Sequence, residues 1–282
     1  MTGVVTHQAR EFVLSEADYR SIRDRVYDLS GIRLGDQKFD LVYSRLTRRL
    51  RTLGLDDFAS YLRLLDGLDG EAEIERMLNA LTTNLTSFFR EAHHFEHLEN
   101  GGLRSALAWQ KGPGRRLRLW SSACSTGEEP YSIAMTLLES GVDLGDVDMR
   151  ILATDLNTEV LEQASFGHYS APVMAKCPEA WRKYFRLDQD GGGQVDASLK
   201  KLISFKPLNL LGPWPMKGPF DVIFCRNVLI YFDTETKRRL VDRFVDILRP
   251  GGWLYLGHSE SASGNHPKLE LIGRTIYRKA SS

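Results

Sequence analysis

The sequence predicts an α/β protein, with a doubly wound, mostly parallel sheet that follows a small all-helical domain and carries an inserted β-hairpin. Three observations support this. From Arg115 onward, strand-length apolar runs alternate with helix-length stretches, which implies right-handed strand–helix–strand crossovers. Between Ser15 and about Leu81, apolar residues recur only at helical spacing. From Tyr169 to about Leu211 the rhythm breaks, and Asp190-Gly191-Gly192-Gly193 lies between two short segments as a hairpin turn does. A chain of 282 residues accommodates one domain of about 200 residues and a smaller one. The expected division is 1–80 and 81–282, with the insertion at about 169–211.

In the helical part, Ser15 and Asp18 resemble a capping box that opens the first helix, with Asp where Glu is usual. Tyr19, Ile22, Val26 and Leu29 form one apolar stripe, and Leu41, Leu46, Leu50 and Leu53 form the next. Glycines punctuate these stretches. In the sheet part, LRLWSSA (117–123) is the first strand, followed by a helix from about Pro130 to Glu139. MRILATDL (149–156) is the second, followed by a helix from Asn157 to about Ser165. FDVIFCRNVLIYF (220–232) is the third, with a helix over Thr234–Leu248. GGWLYLGHSE (251–260) is the fourth. LIGRTIYRKA (271–280) ends the chain without a further helix and suits an antiparallel edge strand. Inside the insertion, Pro178–Phe185 reads as helical.

Composition narrows the function. Hydrophobic residues are 42% and charged residues 26%, as in ordinary globular proteins, and the formal net charge is zero. No global field draws the chain to nucleic acid or to a membrane surface. The three cysteines are widely separated and lack metal-ligand spacing, so reduced thiols and no metal are expected. The start lacks signal-peptide character, and no run of about 18 apolar residues exists to span a bilayer. A cytoplasmic monomer is expected.

In open parallel sheets, ligands bind beyond the carboxyl ends of the strands. After the first strand comes SSACSTGEEPYS, whose small residues allow close approach of backbone to a ligand. Glu128 and Glu129 there would repel phosphate and suit a cationic amino group; alternatively they only complement a helix dipole. After the second strand, Asp155 suits a ribose diol, or else the cap of the next helix. Asn209 and Leu210 precede another loop, where an amide beside an apolar residue suits adenine. Asn227, next to Arg226 and near Tyr231, interrupts an apolar run, and buried polar groups need partners. Acids at the first two loops and no phosphate cradle favour S-adenosylmethionine, which has an amino-acid end and a nucleoside end.

Four motifs, LTTNLTSFFRE (81–91), SSACSTGEEPYSIA (121–134), ATDLNTEVLEQA (153–164) and FCRNVLIYF (224–232), resemble the chemotaxis receptor glutamate methyltransferase (CheR) family in content, order and spacing. The resemblance spans nearly the whole chain. It implies that Asn84, Thr86 and Arg90 line the cofactor and active site, and that Glu129, with Glu128 adjacent, holds the methionyl amino group. It further implies that Asp155 binds the ribose, Asn209 and Leu210 the adenine side, and Asn227 and Val228 the base and methyl region. Arg90 and Tyr231 would be nearest the transferred methyl. The family's substrates are methyl-accepting chemotaxis receptors, which dock on a basic face of the helical domain. The hairpin LDQDGGGQVDASL (187–199) looks shorter than in members that grip a receptor tether, which argues against that role here.

A glutamate carboxylate, with a reference pKa of about 4.3, is already a nucleophile at neutral pH, so no general base is needed. Arg90 would orient it by a forked contact, and Tyr231 would add a hydrogen bond and exclude water. For Arg90 the alternative is an ion pair with Glu91 or Glu96. His93, His94 and His258 read as structural. Arg45, Arg48 and Arg49, with Lys38 nearby, share a helical face in the first domain and are the expected docking face. Nucleic acid is a poorer partner for that face, because only Tyr43 is at hand to stack. Two other functions fit the same fold. One is a small-molecule methyltransferase, which would not need the helical domain; the other is a non-catalytic module that senses the cofactor.

Overall fold

The computed structural model describes residues 10–68, 70–108, 114–143, 147–262 and 266–281. The chain forms two compact units, residues 1–82 and 83–282.

The first unit contains α1 (Glu16–Ser30), α2 (Phe39–Leu53), α3 (Phe58–Leu65) and α4 (Gly70–Leu81). Its capping box is complete: the Ser15 hydroxyl accepts from the Asp18 amide, and the Asp18 carboxylate accepts from the Ser15 amide. Gly31 and Gly54 end α1 and α2 in the left-handed region, at φ 71° and 64°, where a side chain would be strained. Ile22, Val26, Val42, Leu46, Leu50, Phe58, Tyr61 and Met77 are fully buried in one core. Leu29 departs from its stripe and is exposed, while Ser30 turns inward to donate to the Val26 carbonyl.

The expected basic face is narrower than its spacing suggested. Arg49 forks onto the buried Glu73 at 2.9 and 2.6 Å, and the Tyr61 hydroxyl donates to the same carboxylate at 3.0 Å. Arg45 donates to the carbonyls of Ala80 and Thr82 at 3.2 and 2.6 Å. Both lie on the flank of α2 that meets α4, whereas Arg48 points to solvent.

The second unit runs α5 (His93–His97), α6 (Leu103–Ala108), β1 (Arg115–Ser121), α7 (Glu128–Glu139), β2 (Val147–Asp155) and α8 (Thr158–Phe166). It continues through β3 (His168–Tyr169), α9 (Ala171–Met174), β4 (Phe185–Leu187), β5 (Gly193–Val195), α10 (Ala197–Lys200) and β6 (Ile203–Pro207). It closes with β7 (Phe220–Cys225), α11 (Thr234–Ile247), β8 (Leu248–Leu256), β9 (Leu269–Gly273) and β10 (Ile276–Lys279). Seven strands form one sheet in the order β6-β2-β1-β7-β8-β10-β9, parallel through β8 and antiparallel beyond it. Leu119, Ile151, Val222 and Phe224 pack at its centre. The strand order changes direction between β1 and β7, so the cleft opens at the carboxyl ends of those two strands.

Four elements differ from the sequence reading in kind or extent. Ile203–Pro207 belongs to the main sheet beside β2, so the separate three-stranded sheet β3-β5-β4 ends before it. An edge strand with only Ile203 buried has no apolar run to announce it. The third strand stops at Cys225; beyond it Asn227 adopts φ 57° and Leu229–Tyr231 forms a 3₁₀ turn. The last strand is a hairpin, β9 and β10, turning at Arg274 and Thr275. The Pro178–Phe185 stretch is a 3₁₀ helix over Glu179–Tyr184.

Candidate active site

The loop after β1 is tied to both neighbouring strands. The Ser122 amide donates to the Phe224 carbonyl and the Cys124 amide to the Thr154 carbonyl, each at 2.9 Å. Gly127 starts α7 at φ 97°, and a Cβ there would come within 2.8 Å of Ala164 and 2.9 Å of the Tyr169 hydroxyl. Only glycine fits. The loop therefore delivers Glu128 and Glu129, both buried, to the switch point.

Glu129 accepts from the Ser121 hydroxyl at 2.7 Å on one oxygen and from Arg226 at 3.1 Å on the other. Burial holds its carboxyl above the usual range, and Arg226 and Ser121 offset only part of that. Glu128 accepts from the Thr126 hydroxyl at 2.6 Å, and burial raises it too. Asp155 accepts from the amides of Ser125 at 2.8 Å and Asn157 at 3.0 Å, and its carboxyl is likewise raised by burial against those donors. The cap of α8 is Asn157, whose side-chain oxygen accepts from Glu159 and Val160. Asp155 is thus released from capping and stitches the first loop to the second.

The Ser125 hydroxyl donates to the Asn84 carbonyl at 2.9 Å, and the Leu208 amide donates to the Asp155 carbonyl at 2.9 Å. These two bonds bring Asn84 and the Asn209–Leu210 pair to the same edge as Asp155. The Asn209 side chain turns the chain by accepting from the Leu211 amide. Leu210 is buried, and its carbonyl accepts from Trp214 and Arg243.

On the other side of the switch point, Arg226 is the hub. It bonds Glu129, donates to the Arg90 carbonyl, and lies 3.4 Å from Glu91. The Asn227 amide group donates to Glu91 at 3.2 Å. Burial lifts the Glu91 carboxyl, but Arg226, the His258 amide and Asn227 together bring it below the usual range. Glu91 is thereby engaged by Arg226, and Arg90 instead donates to the Leu85 carbonyl at 2.7 Å. Phe89 and Glu91, on either side of Arg90, sit at φ 52° and 57°, a paired strain that turns this loop sharply. The Tyr231 hydroxyl reaches the Thr83 carbonyl at 3.5 Å, the limit of a hydrogen bond. Thr86 and Val228 are half-buried within these same two loops.

Arg226, Glu91, Ser121 and Glu260 were not among the residues expected at the site. Only Arg226 left a signal, a charge inside an apolar run. His94 is buried and neutral: its Nε2 meets the Thr275 hydroxyl at 3.0 Å, and burial, with Arg226 and His93, drops its pKa to about 2. Glu91, His93 and His94 bring ligand-type atoms within 4.8 Å of one another, but Arg226 already neutralises Glu91.

Three buried carboxylates at the ends of β1 and β2 suit a ligand with an ammonium group and a diol. Glu128 and Glu129 take up the first turn of α7, where a dinucleotide would need bare amides. Residues 17–82 match the model of the CheR methyltransferase all-alpha domain, and residues 84–278 match its SAM-binding domain. The chain belongs to the CheR methyltransferase family. It is 43% identical over 283 residues to the chemotaxis protein methyltransferase of Escherichia coli K12, covering 98% of this chain and 95% of that one. It is 45% identical over 258 residues to a probable chemotaxis protein methyltransferase of Rhizobium etli, covering 90% and 96%. It is 44% identical over 278 residues to chemotaxis protein methyltransferase 2 of Pseudomonas aeruginosa, covering 96% of each. This CheR family member is an S-adenosylmethionine-dependent methyltransferase. No helix among its described residues is long and apolar enough to cross a membrane.

Proposed function

We propose that this chain acts in the cytoplasm, as a monomer, and methylates glutamate side chains of chemotaxis receptors to form glutamyl methyl esters. One observation supports it most: Arg226 joins the acid expected to meet the cofactor, Glu129, to the backbone of Arg90, the residue expected to meet the substrate. Bound S-adenosylmethionine supplies an electrophilic methyl group on a sulfonium. Glu129, with Glu128 beside it, holds the ammonium, Asp155 the ribose, and Asn209 and Leu210 the adenine side. Asn84, Thr86, Asn227 and Val228 complete the walls.

S-adenosylmethionine held there would supply its methyl group to the ionised substrate carboxylate, its sulfur leaving as a neutral thioether with no proton moved. Charge is destroyed on the way to the transition state, so a tight ion pair on the carboxylate would favour the reactant over it. Arg90 therefore orients the carboxylate rather than neutralising it, and Tyr231 adds a hydrogen bond and excludes water. Arg48, exposed on α2, is an open cation of the docking face, with Arg45 and Arg49 fixing the helix that carries it. The short hairpin between β4 and β5 speaks against a grip on a receptor tether.

Incubation with methyl-labelled cofactor and receptor cytoplasmic fragments tests the reading. Label released as methanol in mild base is the expected result. Base-stable label, or none, overturns it.

A further inference from the structure

Glu260 lies beyond β8 and is 7% exposed. One of its carboxylate oxygens accepts from the amides of Gly257 at 2.6 Å and Asn227 at 2.8 Å. The other accepts from the Ile230 amide at 3.2 Å, and the Leu229 amide also bonds to the carboxylate. Three amides of the loop after β7, those of Asn227, Leu229 and Ile230, thus converge on one buried anion. Successive amides aimed at one point form an anion-binding nest, and here the anion is the chain's own.

The fit leaves no slack. A Cβ on Gly257 would stand 2.6 Å from the Asn227 amide, from the Asn227 side chain and from Glu260 itself. Asn227 takes its left-handed φ of 57° inside this clamp, and its side chain crosses to Glu91.

We propose that Glu260 is a positioning residue, which holds Asn227–Tyr231 in the cofactor-ready arrangement before any ligand arrives. This rests on the reading that Asn227, Val228 and Tyr231 line the S-adenosylmethionine site. The carboxylate is required chemically as well as sterically. Every group facing its two oxygens is a donor, so a glutamine there must aim an amide N–H at a backbone N–H.

Glu260→Gln keeps the volume and removes one acceptor. Calorimetry with S-adenosylhomocysteine should show affinity lower by about ten- to a hundredfold, the scale of a lost charge-assisted hydrogen bond. Amide exchange supplies the readout that a general stabilising role would not move. In the ligand-free natural protein, the amides of Asn227, Ile230 and Gly257 should exchange slowly. In the variant they should exchange fast while β1 and β7 stay protected.

Wild-type affinity in Glu260→Gln overturns the assignment, as does a loss of protection spread evenly over the sheet. Should the variant fail to fold, the natural protein decides: amides protected only after S-adenosylhomocysteine is added would mean that the ligand, not Glu260, orders the loop. If the natural protein itself bound no S-adenosylhomocysteine, the site reading would fail, while the exchange result would still judge the clamp.

Discussion

Each unit sets an arginine against a buried glutamate, and the two networks finish differently. In the helical unit, both Glu73 oxygens are filled, one by Arg49 Nε and Tyr61 and the other by Arg49 Nη2. In the sheet unit, Arg226 reaches Glu129, Glu91 and the Arg90 carbonyl, yet Arg226 Nε, Glu91 Oε2 and His94 Nδ1 remain buried without hydrogen bonds. Unspent polar capacity in a low-dielectric interior is unfavourable for folding. The Glu73 network is closed, whereas the Arg226 network keeps polar capacity unspent.

The sharpest way to break that contrast is Arg226→Met. It strands two buried carboxylates, so urea unfolding should show a loss of about 3–5 kcal/mol, and S-adenosylhomocysteine binding should disappear. Unchanged affinity would remove the Arg226 network from the site. Glu73→Ala strands Arg49 in the same manner and should lower stability by about 3 kcal/mol. Its S-adenosylhomocysteine affinity, measured by calorimetry on folded protein, should stay at the natural value. A parallel fall in affinity would show that the closed network also serves the ligand.

His94 gives a smaller, pH-dependent effect. Its folded pKa is depressed to about 2, while the unfolded ring takes a proton at about 6.5. Below about pH 6.5 the unfolded state therefore binds the extra proton, and stability falls as pH drops, by up to about 1.4 kcal/mol per unit, until the folded pKa is reached. His94→Gln should remove that part of the slope in acid unfolding curves. An identical slope would mean the ring titrates in the folded protein.

Arg48→Glu, on the open face of α2, should matter least. An exposed charge is worth about 0.2–1 kcal/mol, so the receptor KM should rise by up to about fivefold, more at low salt, with cofactor affinity unchanged. No change at low salt would retire the docking face.

Legibility followed periodicity. Helices α1 and α2 and the strands β1, β2, β7 and β8 announced themselves because burial on one stripe or on both faces imposes a repeat. Strand β6 and the β9–β10 turn did not, because edge strands have few buried side chains to pattern. At the candidate site, Glu128 and Glu129 were picked out by the loop after β1 and Asp155 by the end of β2, and all three are buried at those places. Arg226 stood out only as an oddity. Glu260 gave no signal at all: its donors are backbone amides, identical in every sequence, and all but that of Gly257 come from a loop about 30 residues away.

Spacing by itself determined the fold class and the acids at the strand ends pointed to the chemistry of the ligand, because those depend on local periodicity and on residue type, while four motifs carried the resemblance to the family. The tertiary structure alone decided which arginine of α2 stays open, which residue caps α8, and that Arg226 and Glu260 brace the loop after β7. These are matters of direction and reach between chain segments far apart in sequence, and a one-dimensional pattern carries no record of where a guanidinium or an amide points.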